Sequence, residues 1–173
     1  MTKTLIKSLL LALLVITSFS CKDDLEYGPL VRDNRPAVPV TFPGATTFGG
    51  NPYIEVPAAS GVIRFTLSIP ASTGRTIREI TRVAGPTTAV NAGSLNTAAS
   101  IINTAPIPGS GTTATFETTV AAIRTQFPPA ANAQTYVPSA NPYTPRELAF
   151  IFLVTLDDNT QIVTQQVRAR LVP

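Results

Sequence analysis

The stretch LAFIFLVTLDDNTQIVTQQVRARLV, residues 148–172, decides the fold of this chain. Residues 148–156 are apolar at almost every position, which predicts a central strand with both faces buried. Residues 157–160 have the composition of a tight turn. Residues 162–172 alternate between apolar and polar side chains, and the predicted buried face carries Val163, Val167, Ala169 and Leu171. Two strands joined by a short polar turn predict an antiparallel hairpin that ends the domain.

Several segments upstream of this hairpin also predict strands. The clearest is 62–69, in which every second residue is apolar, as in a half-buried strand. The weaker candidates are 53–57, 76–84 and 112–117, with 38–42 as a candidate first strand and 100–104 as a candidate edge strand. In 76–84 the two faces are not cleanly separated, although β-branched residues are frequent.

One short helix is expected among the strands. Thr118 is its predicted N-cap, apolar residues follow at helical spacing, and Pro128 and Pro129 end it. With about seven short strands and Pro- and Gly-rich connections, residues 49–173 predict an all-β, antiparallel sandwich. The hairpin 148–172 is similar to the closing hairpin of immunoglobulin-like domains in small Bacteroidota surface lipoproteins, some of which accompany nutrient-uptake receptors. This resemblance implies an immunoglobulin-like β-sandwich.

Residues 1–20 predict a secretory signal peptide. Lys3 and Lys7 flank the start, eight uninterrupted apolar residues occupy 9–16, and mostly small polar residues follow. A transmembrane helix needs about 20 apolar residues, so this run is too short to cross a bilayer. Cys21, the only cysteine, comes next. Its position resembles a bacterial lipoprotein signal, which implies that Cys21 is lipidated and that its acyl chains hold the protein in membrane lipid.

The residues after the cysteine suggest where the protein is located in the cell. Cys-Lys-Asp-Asp resembles the start of many Bacteroidota lipoproteins, in which residues such as Lys22, Asp23 and Asp24 mark export to the cell surface. The alternative is the solvated start of an ordinary linker. Residues 21–48 are Pro-rich and lack a sustained period, so they predict an extended tether. We therefore expect a lipid-anchored outer-membrane protein exposed at the cell surface.

Composition argues against most catalytic classes. The 173-residue chain has no histidine, which removes the commonest general base and most zinc sites, and it has no Gly-rich phosphate loop. Two carboxylates are able to hydrolyse a glycosidic bond, but none of the candidates stands in a recognisable glycosidase motif. These candidates are Glu55, Glu79, Glu117, Glu147, Asp157 and Asp158. We predict a protein that is not an enzyme and has no cofactor.

The sequence also gives little support for nucleic-acid binding or for a metal site. Without the signal peptide, Lys+Arg falls from 13 to 11 against 10 acidic residues, so no positive field favours nucleic acid. Asp157, Asp158 and Asn159 supply oxygen atoms of the kind that bind calcium. They are also the residues that turns prefer, and we favour the turn over a metal site.

Residues 128–145 form a long predicted loop with five prolines and two tyrosines. Ordered loops of this length are usually functional, and Tyr136 and Tyr143 offer rings that stack on sugars or anchor protein interfaces. Alternatively, the tyrosines only cover a sheet edge.

These features lead to three hypotheses of decreasing weight. The first is a binding or accessory module for a glycan, a peptide or an outer-membrane partner, with Tyr136 and Tyr143 as the binding residues. The second is a structural or fimbria-like subunit whose sheet edge pairs with another chain. The third is a small hydrolase.

Overall fold

Strands make up most of the regular secondary structure of the described chain. The computed structural model describes residues 36–47, 50–129, 136–141 and 143–173. Its strands are β1 (Tyr53–Pro57), β2 (Val62–Ser68), β3 (Ile77–Ala84), β4 (Ile107–Pro108), β5 (Thr113–Thr119), β6 (Arg146–Leu156), β7 (Gln161–Val163) and β8 (Val167–Val172), and the helix α1 covers Val120–Gln126. The predicted all-β class with one short α-helix is confirmed for these residues.

The strands form one large sheet and one small sheet. The large sheet has the order β1-β8-β6-β3-β4, with β7 beside the far end of β6, and the small sheet pairs β2 with β5. β6 pairs antiparallel with β3, β7 and β8, so the predicted closing hairpin and its central strand are confirmed. The prediction of a wholly antiparallel fold is wrong, because β1 runs parallel to β8. β1 and β8 lie at opposite ends of the domain sequence, so no tight turn forces them to be antiparallel.

A cluster of phenylalanines fills the space between the two sheets. Phe65 and Phe116 face each other across β2 and β5, and their rings meet those of Phe150 and Phe152 from β6. The ring centroids in these contacts are 5.4–6.0 Å apart, in tilted or edge-to-face geometry. Such contacts add about 0.5–1.5 kcal/mol each beyond area burial, so this cluster holds the sheets together.

β6 is buried on its second face as well. Ala149 and Ile151 point away from the phenylalanine cluster and are buried against Ala84, Val90 and Leu95. Val90 and Leu95 belong to the segment that follows β3 and folds over the outside of the large sheet. This cover explains why the sequence of β6 is apolar on both faces.

Two strands depart from simple alternation because of register shifts. In β3 the pairing with β6 shifts twice, and Ile77, Ile80 and Val83 therefore all reach the core at a spacing of three. The other irregular strand is the one predicted over 162–172, which Thr164 interrupts between β7 and β8. The predicted buried position of Val163 is consequently wrong: Val163 is 42% exposed, and Ile162 is buried instead.

The boundaries of the packed unit and of the helix also differ from expectation. The compact unit spans Ala37–Pro173, and Phe42, which lies in the predicted tether, is buried in its core. Thr41 is fixed there by backbone hydrogen bonds to Ser68 of 2.8 and 2.9 Å. The helix is capped one residue later than predicted, since the Thr119 hydroxyl accepts the Ala122 N–H at 3.0 Å.

The region between β3 and β5 supplies one short strand at a different place from the candidate 100–104. Ile101 makes a single bridge to Ala84, whereas Ile107 and Pro108 form β4 against β3. Gly109 follows immediately, and an added Cβ there would lie 2.0 Å from the Ile77 carbonyl oxygen. Only glycine allows the chain to pass so close to β3.

Candidate functional site

Tyr136 is a packing residue of the loop between α1 and β6. Its ring packs against the main hydrophobic core, and its hydroxyl donates a hydrogen bond of 2.6 Å to the Phe127 carbonyl oxygen. Partial burial raises the pKa of Tyr136 above its ordinary value, because the phenolate is poorly solvated there. The ring also borders a cavity of about 250 Å³ together with Gly85, Val90 and Phe127. These contacts fix the start of the described loop onto the domain.

Tyr143 has a different environment from Tyr136. It is 92% exposed, whereas the other exposed large hydrophobic residues of the described chain, Val62, Val137 and Val163, are 40–56% exposed. Its backbone is nevertheless held in a turn, since the Asn141 side-chain oxygen accepts the Tyr143 N–H at 2.9 Å. The Ser139 hydroxyl in turn accepts the Asn141 N–H at 3.2 Å. The structure therefore presents the Tyr143 ring to solvent from an ordered backbone.

A groove of about 410 Å³ lies between this part of the loop and the strands β1 and β8. The loop supplies Ser139, Asn141 and Pro145, which bracket Tyr143 in sequence, and the strands supply Glu55 and Arg170. Glu55 and Arg170 are register partners in the parallel pairing of β1 with β8, so the fold brings them to the same side of the sheet.

A network of charged side chains holds Arg170, which lines this groove. Glu147 is only 12% exposed in its side chain and accepts from two guanidinium groups. Arg168 Nη1 lies 2.5 Å from Glu147 Oε2, and Arg170 Nη2 lies 2.9 Å from Oε1. The Arg170 guanidinium also stacks 3.7 Å from the ring centroid of Tyr53. These contacts hold the Arg170 side chain in one position.

The network continues towards the segment that covers β6. Arg168 Nε donates to the Gln166 side-chain oxygen at 3.0 Å, and the Gln166 amide donates to the carbonyl oxygens of Thr88 and Val90. Asn51 donates to the same Gln166 oxygen. A row of planar polar groups thus crosses the outer face of the large sheet from the groove to Thr88.

Most of the carboxylates considered as acid–base groups face a guanidinium. Glu147 contacts two arginines, Glu117 pairs with Arg64 and Glu79 pairs with Arg78. Glu55 is the exception, because its side chain has no hydrogen bond or ion pair with the described residues.

Residues 157–160 form the predicted turn. The Asn159 backbone has φ +68°, and the Asp158 carboxylate accepts the Thr160 N–H at 2.9 Å. Arg75 forms ion pairs with both Asp157 and Asp158. Within the described ranges, no group of three or more metal-binding side chains comes together.

The remaining predicted site residues lie outside the described part of the chain. These are the lipidation site Cys21 and the export residues Lys22, Asp23 and Asp24. No helix in the described ranges has the length and apolar character needed to cross a membrane.

Comparisons of the chain with protein-family models, with curated proteins and with solved structures gave no significant match. The sequence suggested Glu55 and Glu147 only as candidate acid–base carboxylates, and their placement beside Arg170 was not predicted. Tyr53, whose ring stacks on the Arg170 guanidinium, was missed. Arg168 and Arg170 were visible as a polar strand face, but the partner that organises them depends on the register between β6 and β8.

Proposed function

We propose that this chain is a lipid-anchored protein of the outer membrane, displayed at the cell surface, which binds a ligand without catalysing a reaction. The observation that carries the binding proposal is Tyr143, an aromatic side chain that is 92% exposed on an ordered turn beside a groove. An aromatic ring held in solvent by a fixed backbone is pre-organised for contact, so little conformational entropy is lost on binding.

The strand arrangement supports the finer proposal of an immunoglobulin-like sandwich. In that fold, strands C, F and G are neighbours in one sheet, while B and E are neighbours in the other. β3, β6 and β8 lie side by side in that order, and β2 pairs with β5. β4 then takes the place beside C that variable-type domains fill, and β1 adds to the free edge of β8.

The anchor proposal rests on sequence alone. A charged start, a short apolar run and Cys21 are the features of a lipoprotein signal. Two or more acyl chains on Cys21 would hold the protein stably, since each buried CH₂ contributes about 0.8 kcal/mol. Lys22, Asp23 and Asp24 would then serve as the surface-export signal, and residues between them and Ala37 would connect the anchor to the packed unit.

Binding without catalysis is supported by the state of the charged groups. The chain has no histidine, and Glu147 and the two aspartates of the 157–160 turn are engaged by arginines. A general acid–base pair needs two groups that are able to exchange protons with a substrate. At the groove, Arg170 and Asn141 are held by their own contacts and offer hydrogen-bonding groups to a ligand.

The experiment that tests binding compares the full-length, detergent-solubilised protein with Tyr143→Ala on arrays of oligosaccharides and peptides. We expect the wild type to bind at least one class and Tyr143→Ala to lose at least about 90% of the signal, as expected for a central aromatic contact. Tyr136→Phe is the matched control, because it alters the other loop tyrosine while keeping its ring packed. Equal binding by wild type and Tyr143→Ala would reject Tyr143 as the contact residue.

A second candidate function, a structural subunit that assembles through its sheet edges, is favoured by the small sheet. The Ile69 N–H bonds to Thr112 and the Val120 N–H bonds to Gly61, which fixes the residues that point between β2 and β5. By alternation, the backbone groups of Thr66 and Thr115 point away from the sheet on its two edges. Among the described residues, neither has a backbone hydrogen-bond partner on that side.

This alternative predicts oligomers rather than ligand binding. Thr115→Pro removes an outward N–H and places a proline ring on the edge, so it would disperse the oligomers. Multi-angle light scattering of the full-length protein in detergent measures the effect. A monomer at all concentrations would reject the structural role, and oligomers that survive Thr115→Pro would reject pairing through β5.

A further inference from the structure

We infer that the ligand of the groove, which is lined by residues 139–141 and Pro145 and by strands β1 and β8, is a neutral oligosaccharide. This inference rests on the proposed binding function and adds the chemical class of the ligand. It depends on four features of the site: its balanced side-chain charge, its mixed hydrogen-bonding groups, the exposed ring of Tyr143 beside it, and the lack of free backbone groups along the neighbouring edge of β1.

The charged side chains of the groove balance one another. Among the lining residues these are Glu55 and Arg170, one carboxylate and one guanidinium. Behind them, Glu147 joins Arg170 to Arg168, which adds one more carboxylate and one more guanidinium, so the formal sum over these four side chains is zero. An anionic ligand would meet the carboxylate of Glu55, and a cationic ligand would meet Arg170. An uncharged ligand avoids both penalties.

The unused polar atoms include both donors and acceptors. Nη1 of Arg170 and the side-chain nitrogen of Asn141 have no partner among the described residues, so both remain donors. The Glu55 carboxylate is an acceptor without a side-chain partner there. Sugar hydroxyls both donate and accept hydrogen bonds. Two neighbouring hydroxyls are therefore able to donate to a carboxylate while accepting from an amide or a guanidinium.

Tyr143 supplies the apolar component that sugars also require. Sugar rings present C–H groups on one face, and an exposed phenol ring offers a flat apolar surface with a polar edge. The turn at Asn141 holds the Tyr143 backbone, and Asn141 itself lines the groove. A ligand that stacks on Tyr143 is therefore within one short turn of the hydrogen-bonding groups.

An extended peptide fits this site less well. Peptides of this kind gain affinity by adding a strand to an open edge. Along β1, Pro52 accepts from Arg168 on the β8 side, and Tyr53 is bonded to Thr46 on the outer side, with N···O distances of 2.8 and 2.9 Å. In the described chain this leaves Glu55 as the one residue in the middle of β1 with outward backbone groups, which is too short for strand addition.

The test uses arrays that carry neutral oligosaccharides, uronate-containing or sulfated oligosaccharides, and peptides. The proteins are the full-length wild type, Glu55→Gln, Tyr143→Ala and the control Glu117→Gln. Glu117 is an exposed glutamate on β5 and does not line the groove. We expect binding to neutral oligosaccharides, weakened at least tenfold by Glu55→Gln and unchanged by Glu117→Gln, because charge-assisted hydrogen bonds are the strong ones.

The outcomes separate this inference from the proposed function. Selective binding of acidic oligosaccharides or peptides that Tyr143→Ala abolishes would overturn the neutral ligand and leave the binding function standing. Neutral binding that Glu55→Gln leaves unchanged would overturn the assignment to this groove. If the wild type binds no member of the arrays at millimolar concentration, both the inference and the binding function are rejected.

Discussion

Replacing Tyr136 by phenylalanine removes one oxygen atom and tests whether this tyrosine holds the loop to the domain. The lost hydrogen bond is the 2.6 Å contact from the hydroxyl to the Phe127 carbonyl oxygen. A hydrogen bond of this kind contributes about 0.5–1.5 kcal/mol to stability. The ring is half-buried, so we expect a loss near the middle of that range, about 1 kcal/mol. For a unit of this size the corresponding fall in Tm is about 3–5 °C.

The same variant also has a pH signature. Burial raises the pKa of Tyr136, so the unfolded state loses this proton at a lower pH than the folded state does. Its contribution to stability is therefore complete below the ordinary tyrosine pKa of about 10 and declines as the pH rises through the folded-state value. Tyr136→Phe should lack this alkaline decline while the rest of the profile is unchanged.

The assay is denaturant unfolding of the full-length protein, followed by circular dichroism at pH 7 and from pH 8 to pH 11. Tyr143→Phe is the matched control, since it removes the same atom from a ring that is 92% exposed. We expect it to change stability by less than about 0.5 kcal/mol. Equal stabilities for wild type and Tyr136→Phe, or an equal loss in Tyr143→Phe, would refute the assignment of separate roles to the two tyrosines.

Three further predictions concern the fold and are measured by the same unfolding assay. Gly109→Ala should destabilise the protein by about 2–3 kcal/mol or prevent folding, because the new Cβ would meet the Ile77 carbonyl oxygen at 2.0 Å. In the control Gly111→Ala nothing lies within 4 Å of the new Cβ, so only the strain of the positive φ remains, about 1 kcal/mol. Equal losses of stability in the two variants would contradict the close approach at Gly109. Glu147→Ala should lower stability by about 1–3 kcal/mol, because Arg168 and Arg170 lose their carboxylate partner. Glu117→Ala removes a solvent-exposed ion pair and should lower stability by less than about 0.5 kcal/mol. A small loss in both variants would show that the network around Glu147 adds no stability. Ile151→Ala should lower stability by about 2–4 kcal/mol, because Ile151 is buried on the covered outer face of β6. Val163→Ala, at an exposed position, should lower it by less than about 1 kcal/mol. A small loss of stability in Ile151→Ala would mean that this face of β6 is open to solvent.

The elements that the sequence predicts well are those whose pattern depends on one buried face. In β2, the buried residues Ile63, Phe65 and Leu67 alternate with exposed or partly exposed residues, and the strand lies where the alternation places it. β6 is apolar on both faces and does lie in the centre of the large sheet. These patterns depend only on which side chains are buried, so they are recognisable without knowing which strands pair with each other.

Register shifts limit what the sequence predicts elsewhere. Next to the turn, Leu153 pairs with Val163, and continuing that register would place Glu147 opposite Ala169. The irregular backbone at Thr164 shifts the pairing by one residue, and Glu147 meets Arg170 instead. A bulge of this kind depends on backbone hydrogen bonds between distant residues and leaves no clear signal in composition.

The candidate site shows the same division. A long Pro-rich loop with two tyrosines is visible in the sequence. The sequence does not show, however, which tyrosine is exposed and which has its hydroxyl hydrogen-bonded to the domain. Tyr136 and Tyr143 are distinguished only by what surrounds them, namely the Phe127 carbonyl for one and solvent for the other. The parallel pairing that places Glu55 beside Arg170 joins the first strand to the last, and local patterns do not specify such contacts.

Protease shaving of intact cells that produce the full-length chain tests the central claim, surface display on a lipid anchor, most directly. If the protein is displayed at the surface, protease should release a fragment containing residues 37–173 without lysis, because the chain between Cys21 and Ala37 would lie outside the cell. Cys21→Ser cells should retain no such fragment at their surface. Protection of the wild-type chain until the outer membrane is opened would contradict surface display and place the groove and Tyr143 in the periplasm.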